Sequence, residues 1–273
     1  MTYSKKLQKL FPEVELHPED LLLLETFQIK YLPERVAIKE FATLLAAYPV
    51  VHRLLLAKYP PIVSFLSRIL KENPAIKDQA LIEEHCQEAL WEIADLIIYN
   101  KSPERFDAQA PIKWEIGEIS AITSLDGKVV ADVGAGSGRI AFLVAPLAQT
   151  VFALEPLSSF RTFMKEKVVK KDMHNLHVMD GTLDSIPLPD HSLDVLITSN
   201  AIGWNLNEEL VEIERVIKPG GHAIHLLQSN EELETPFHET LTASPWNYTC
   251  LQEGDNNKLK LRYFARINHL PLL

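Results

Sequence analysis

Val129-Val-Ala-Asp-Val-Gly-Ala-Gly-Ser-Gly-Arg-Ile-Ala-Phe-Leu143 is the stretch from which the rest of the chain can be read. Four small or β-branched residues, broken only by Asp132, read as a buried strand; Gly134, Gly136 and Gly138, with Ala135 between the first two, read as a tight loop; and Arg139 opens an apolar helix. Glycines suit such a loop because a Cβ opposes the backbone angles it needs, and because a ligand can then approach the main chain. Many nucleotide binders share a glycine-rich strand-to-helix loop, so the spacing has to narrow the choice. Dinucleotide loops run G-x-G-x-x-G so that pyrophosphate rests on the helix N-terminus. Here Arg139 stands in the third glycine's place, and Asp132 puts a negative charge two residues ahead of Gly134. An anionic pyrophosphate is disfavoured, a dehydrogenase becomes a minor alternative, and a cationic ligand becomes attractive.

Two further acids follow at the ends of expected strands. Val151-Phe-Ala-Leu-Glu155 closes a second strand on a carboxylate 17 residues after Gly138, near the spacing of about 20 at which an acid meets ribose hydroxyls. His177-Val-Met-Asp180-Gly181-Thr182 closes a third. Any one of these acids could simply cap a helix or turn. Three on one edge of a parallel sheet point into the crevice where such folds bind ligands.

Outward from the loop the same rhythm continues. Strands are expected at 129–133, 151–154, 177–179, 194–199 and 223–227, with helices at 138–147, 158–169 and 208–217 between them. That alternation predicts an α/β fold: a doubly wound, mostly parallel, seven-stranded sheet built from right-handed crossovers. Tyr248–Leu251 and Leu259–Ile267 flank Gly254-Asp-Asn-Asn and should form a C-terminal antiparallel hairpin. Before residue 110 the texture differs. No glycine occurs from His17 to Tyr99, and the segment reads as an all-helical domain. Pro18, Leu32-Pro33, Pro49 and Pro60-Pro61 should open successive helices, because proline is welcome in a first turn. The longest helix is expected from Ile76 to Tyr99, with Ile82, Cys86, Ala89, Leu90, Ile93, Leu96 and Ile97 on one core stripe. Lys101-Ser-Pro-Glu-Arg-Phe-Asp reads as a hinge, giving domains 1–110 and 111–273.

These motifs resemble one family, the class I S-adenosylmethionine-dependent methyltransferases, and within it the small-molecule branch of quinone and natural-product methylases. The resemblance spans about Trp114 to Ile267. Its residues are Ala131-Asp-Val-Gly-Ala-Gly-Ser-Gly, Glu155, Asp180-Gly, Leu188-Pro-Asp-His-Ser-Leu-Asp-Val-Leu-Ile-Thr-Ser-Asn-Ala and Glu214-Arg-Val-Ile-Lys-Pro-Gly-Gly. It implies S-adenosylmethionine as cofactor, with Gly134, Ala135, Gly136 and Gly138 cradling the methionine part and Asp132 facing its ammonium. It further implies that Glu155, followed by Pro156, holds the ribose diol, and that Asp180 accepts from the adenine amino group, with Gly181 beside it in the cofactor site. Leu157 and Thr182 would then line the adenine, and Asn200 would lie below the sulfonium. Lys218-Pro-Gly-Gly would be a structural turn.

A sulfonium methyl is already activated, so such a protein chiefly aligns the acceptor and excludes water. Many relatives carry a histidine soon after the fourth strand. Here Gly203 stands there, and no catalytic base is assigned; Trp204 either shapes the acceptor pocket or packs. A non-catalytic S-adenosylmethionine-binding protein and an aminopropyl transferase are the alternatives. His222 and His225 should project to opposite faces of a strand and so cannot share a metal. His174 and His177 read as surface histidines, and no metal site is expected.

Composition sets the outer bounds. The chain has 273 residues, 47% of them hydrophobic, with 27 basic and 37 acidic side chains for a net charge of −10. Nucleic-acid affinity rests on clustered Lys and Arg. Net charge is −2 over residues 1–113 (14 basic, 16 acidic) and −8 over 114–273 (13 basic, 21 acidic), so a nucleic-acid partner is disfavoured. Arg161, Lys165, Lys167, Lys170 and Lys171 read as a solvated helix surface. Two cysteines exclude a disulfide scaffold. The longest uncharged apolar run, 140–148, is nine residues against about 18 for a membrane span. The expectation is a cytoplasmic enzyme without membrane contact, acting on a small-molecule methyl acceptor, whose helical domain covers the acceptor site or mediates a homodimer.

Overall fold

A computed structural model describes residues 3–109, 113–229, 236–255 and 258–268. The chain divides into two compact units, residues 1–109 and 110–273. The expected boundary at 110–111, and the tip of the expected hairpin at Asn256-Asn257, lie outside the described residues.

The first unit contains α1 (Tyr3–Leu10), α2 (Thr26–Arg35), α3 (Ile38–Ala47), α4 (Pro49–Lys58), α5 (Val63–Glu72), α6 (Gln79–Glu92), α7 (Ala94–Lys101) and α8 (Pro103–Ala108). Phe41, Leu44, Leu55, Leu66, Ile69, Leu90 and Ile97 form its core and are fully buried. Pro49 opens α4, and Pro60-Pro61 form a 3-10 turn leading into α5, as first-turn prolines should. Three expectations fail. Pro18 opens only a six-residue 3-10 turn, Pro18–Leu23. Pro33 lies in the last turn of α2, not at the start of a helix. The true start is marked by Gln28, whose side-chain oxygen accepts from the Glu25 N–H at 3.1 Å in a capping box. The long helix expected over 76–99 is two helices that meet at Ile93, α6 having been opened by the Asp78 carboxylate, which accepts from the N–H groups of Ala80 and Leu81. The apolar stripe is buried as expected apart from the partly buried Ile82, and Cys86 is a core thiol. The expected hinge is mostly α8.

No single helix among the described residues is long and apolar enough to cross a membrane. The pair α3 and α4 meets the length and composition test only jointly, bent by 106°.

The second unit contains α9 (Ile116–Ser120), β1 (Val129–Val133), α10 (Arg139–Val144), β2 (Thr150–Leu154), α11 (Ser158–Lys170), β3 (Leu176–Met179), β4 (Leu193–Ser199), α12 (Leu206–Val216), β5 (Ile217–Ser229), α13 (His238–Thr242), β6 (Thr249–Asp255) and β7 (Lys258–Arg266). The strands form one seven-stranded sheet in the order β3-β2-β1-β4-β5-β7-β6. Every pairing from β3 to β5 is parallel. β7 runs antiparallel to both β5 and β6. This is an α/β, Rossmann-like arrangement. Alternate strand residues feed two cores. Val195, Ile197, Ile224 and Leu226 pack with α10 residues Ile140, Ala141 and Val144. Leu193, Leu196, Ala223 and Leu227 pack with α12 residues Leu210, Ile213 and Val216. A sheet covered on both faces explains why its strands read as continuous apolar runs. The segment Lys218-Pro-Gly-Gly lies within β5, not before it: Gly220 and Gly221 exchange main-chain hydrogen bonds with Ile267, where the register against β4 shifts.

Chain order turns back at β1. β2 lies on one side of it and β4 on the other, so the crevice beyond their carboxyl ends is where this topology binds ligands.

Candidate functional site

Gly134, Gly136 and Gly138 all carry positive φ, at 73°, 54° and 85°. At Gly134 a Cβ would come within 2.4 Å of Ala201 Cβ in the segment after β4. At Gly138 it would meet Met164 Sδ and a Phe142 ring carbon, each at 2.9 Å. The closest approaches that demand glycine here are thus made by the chain itself, at Gly134 across the switch point and at Gly138 against α10 and α11.

The loop is fastened from behind. Gly134 and Ala135 N–H both donate to the Leu154 carbonyl, and Gly138 N–H donates to that of Ala135. Gly136 N–H donates to Glu155 Oε2 at 2.8 Å, and Leu157 N–H donates to Glu155 Oε1 at 2.9 Å. Glu155 is buried and staples the loop after β1 to the loop after β2. With four loop N–H groups engaged internally, little donor capacity remains for a phosphate.

Asp132 is the centre of the arrangement. It lies in β1 between Ala153 and Ile197 of the adjoining strands and is 1% exposed. Its Oδ2 accepts from Ala141 N–H of α10 at 2.9 Å. Its Oδ1 is buried and has no hydrogen-bond partner among the described residues. Burial pushes the carboxyl up to about 7; the Ala141 N–H opposes that shift, and the negative Glu155 adds to it. A buried acceptor without a donor is a costly feature. It fits a ligand that brings a cationic or N–H group to that oxygen.

The acid expected after β3 behaves differently. Asp180 is 74% exposed and pairs with Arg161 at 3.2 Å. Arg161 also donates to the carbonyls of Glu155 and Pro156. Gly181 packs tightly, since a Cβ there would meet Pro187 Cδ at 2.8 Å and Leu154 Cδ2 at 3.0 Å. Thr182 Oγ1 donates to Asp184 at 2.5 Å, and Asp184 accepts from Asn205 Nδ2, linking the loop after β3 to that after β4. Asn200 has a φ of 52°, and its Oδ1 accepts from Gln228 N–H. Asp132, the glycine loop, Glu155, Pro156 and Leu157 therefore form one bonded group. Asp180 and Gly181 join it through Arg161. Thr182 and Asn200 belong to the neighbouring rim.

Three participants escaped the sequence reading. In sequence Arg161 reads as part of a solvated basic face. Asp184 follows Thr182 without any motif. Glu209, at 2% exposed, takes three consecutive N–H groups on one carboxylate: Gly203 at 2.7 Å, and Trp204 and Asn205 each at 3.0 Å. Burial raises its pKa, opposed by those same donors. An acid in the first turn of α12, just after Gly-Trp-Asn, is the signal that was available. No side chain stands at Gly203, where the Phe237 ring packs instead.

His222 and His225 occupy alternate faces of β5. His225 is fully buried between Thr198 Oγ1 at 2.9 Å and the Tyr248 hydroxyl at 3.3 Å, and burial lowers its pKa to about 3. His174 and His177 are exposed. No cluster of metal-ligating side chains occurs among the described residues.

Residues 131–225 match the family described as a methyltransferase domain. That segment lies in the second unit and is similar to a methyltransferase domain. S-Adenosylmethionine is the cofactor of such a domain. The chain is 28% identical over 127 residues to a malonyl-[acyl-carrier protein] O-methyltransferase of Yersinia pestis, covering 45% of this chain and 46% of that one. It is 30% identical over 147 residues to the histone-arginine methyltransferase CARMER of Drosophila persimilis, covering 53% and 26% respectively. The chain thus spans about half, or less, of these relatives. A solved S-adenosylmethionine-dependent methyltransferase from Aquifex aeolicus aligns over 55% of this chain and 87% of its own, with a TM-score of 0.48 and 20% identity. The matched segment begins within β1 and ends within β5, enclosing Asp132, the glycine loop, Glu155, Asp180 and Asn200.

Proposed function

We propose that the chain transfers a methyl group from S-adenosylmethionine to a small-molecule acceptor by in-line displacement, in a reducing, cytoplasmic setting. The observation that carries this reading is the buried Asp132 Oδ1, without a hydrogen-bond partner among the described residues, at the head of a stapled glycine loop. When bound, the cofactor supplies a methyl already activated by its sulfonium. The chain's task is then to bind, orient and exclude water.

Asp132 would hold the ammonium, and Glu155 would keep the loop in shape and offer its remaining lone pairs to the ribose hydroxyls. Asp180 would accept from the adenine amino group, with Leu157 and Thr182 beside the ring. Asn200 would face the sulfonium. Support for a small acceptor comes from this chain itself. The second unit is strongly acidic, and Trp204 stands half exposed on the loop that Glu209 braces.

Calorimetry with S-adenosylhomocysteine tests the reading. Micromolar-scale binding is expected, weakened at least tenfold by Asp132→Ala. Absence of binding at millimolar ligand overturns it. Release of S-adenosylhomocysteine on incubation with phenols, amines and carboxylates would then identify the acceptor.

A further inference from the structure

Arg161 lies near the start of α11 with its guanidinium turned back over the end of β2. Nη1 donates to the Glu155 carbonyl at 2.8 Å and to the Pro156 carbonyl at 2.6 Å, and shares one of its two N–H groups with Asp180 Oδ1 at 3.2 Å. The Arg161 side chain is 17% exposed and that of Asp180 is 74%. An exposed pair of this kind is ordinarily worth little, because ordering two side chains offsets the attraction. Here the ordering is supplied from elsewhere. The two main-chain bonds hold the guanidinium in place whatever Asp180 does, so only the short aspartate side chain has freedom to lose. The bond engages one carboxylate oxygen and leaves the other able to accept from a donor outside the chain.

We propose that Arg161 is a positioning residue: by pinning Asp180 it makes the site select a purine that carries an exocyclic amino group over one that carries an oxo group there. This rests on the reading given under the proposed function. A fixed carboxylate accepts a hydrogen bond from an amino group and repels a carbonyl oxygen at the same place. An unpinned one swings into solvent and does neither. Sites built around a specific hydrogen bond discriminate strongly because the mismatched ligand leaves a polar group unpaired.

The test compares S-adenosylhomocysteine with its deaminated counterpart, S-inosylhomocysteine, by calorimetry on the full chain. The wild type is expected to bind the amino form at least tenfold more tightly. Arg161→Met should compress that ratio below threefold while leaving affinity for the oxo form within twofold. Arg161→Lys, which keeps a charged donor, should restore most of the ratio. Arg161→Gln, polar and shorter, repeats the loss if R161M does not fold. Parallel weakening of both ligands with the ratio intact would mark a merely structural role and overturn the proposal, as would a wild type without preference. A wild type that binds neither ligand overturns the proposed function itself, whereas tight wild-type binding with an unchanged ratio in the variants overturns only the role of Arg161.

Discussion

Asp132 sits in the middle of a parallel sheet with one carboxylate oxygen bonded to α10 and the other without a partner among the described residues. Its carboxyl titrates near 7 because burial disfavours the charged form. A ligand ammonium pairs with the ionised form only, so binding should pull a proton off. Affinity for S-adenosylhomocysteine is therefore expected to rise with pH, by about eightfold between pH 6 and pH 7.5 for a group of this pKa. Calorimetry in two buffers of different ionisation enthalpy should count close to one proton released at pH 6, falling to about half a proton at pH 7. Asp132→Asn should abolish both the slope and the proton. A second residue-scale outcome concerns Gly134, where a Cβ would strike Ala201 and φ is 73°. Gly134→Ala should destabilise the second unit by about 3 kcal/mol. Pairing it with Ala201→Gly should recover the steric part but not the backbone part, a coupling that urea denaturation of the four-member cycle resolves.

Among the elements, the loop between β4 and α12 owes its shape to Glu209, which holds three successive N–H groups at 2.7–3.0 Å. Charge-assisted bonds of this kind contribute about 1.5–3 kcal/mol each when buried. Glu209→Gln keeps the shape and removes the charge. Hydrogen exchange at Gly203, Trp204 and Asn205 should accelerate at least tenfold, with the β1 amides unchanged; protection equal to wild type would deny the clamp. That clamp also shows where legibility stopped. The β-strands could be read because both faces of the sheet are covered, which turns Val129–Val133 and Leu193–Ser199 into apolar runs that nothing else explains. The strand-end acids could be placed because each strand stops within a residue of Asp132, Glu155 or Asp180. Arg161 and Asp184 could not, since Arg161 holds main-chain carbonyls and Asp184 holds the Thr182 hydroxyl and the Asn205 amide, contacts that leave no mark on spacing; Glu209 left only the trace of an acid in the first turn of α12. The helical unit failed for related reasons. Proline suits a first turn but also survives in a last one, as Pro33 does. The break at Ile93 carries no breaker residue. There Arg35 bonds both oxygens of Asp95, a contact 60 residues distant that periodicity cannot register.

For the molecule as a whole, two buried groups of opposite sign shape the pH dependence of the second unit. Asp132 is raised from 3.8 to about 7, and His225 is lowered from 6.5 to about 3. Between about pH 4 and 6.5 the unfolded chain has Asp132 ionised while the folded one has it protonated, so this group stabilises the fold more as pH falls. Over the same window His225 is charged when unfolded and neutral when folded, so its contribution is lost as pH falls. Each slope is about 1.4 kcal/mol per pH unit, and the two oppose one another. Their sum leaves stability nearly level across the window, with a decline setting in only from about pH 6.5 to 7, where His225 no longer binds a proton in either state and Asp132 still does. Removing one group exposes the other. Asp132→Asn should lose about 3 kcal/mol relative to wild type on going from pH 6.5 to 4.5, and His225→Gln should gain a similar amount. Urea denaturation followed by tryptophan fluorescence reads this directly, since Trp114, Trp204 and Trp246 lie in the second unit and only Trp91 lies in the first. Variants whose pH profiles run parallel to wild type would mean that neither group holds its shifted pKa. Slopes of the same sign in both would mean that one of the two environments is not as dry as its burial implies.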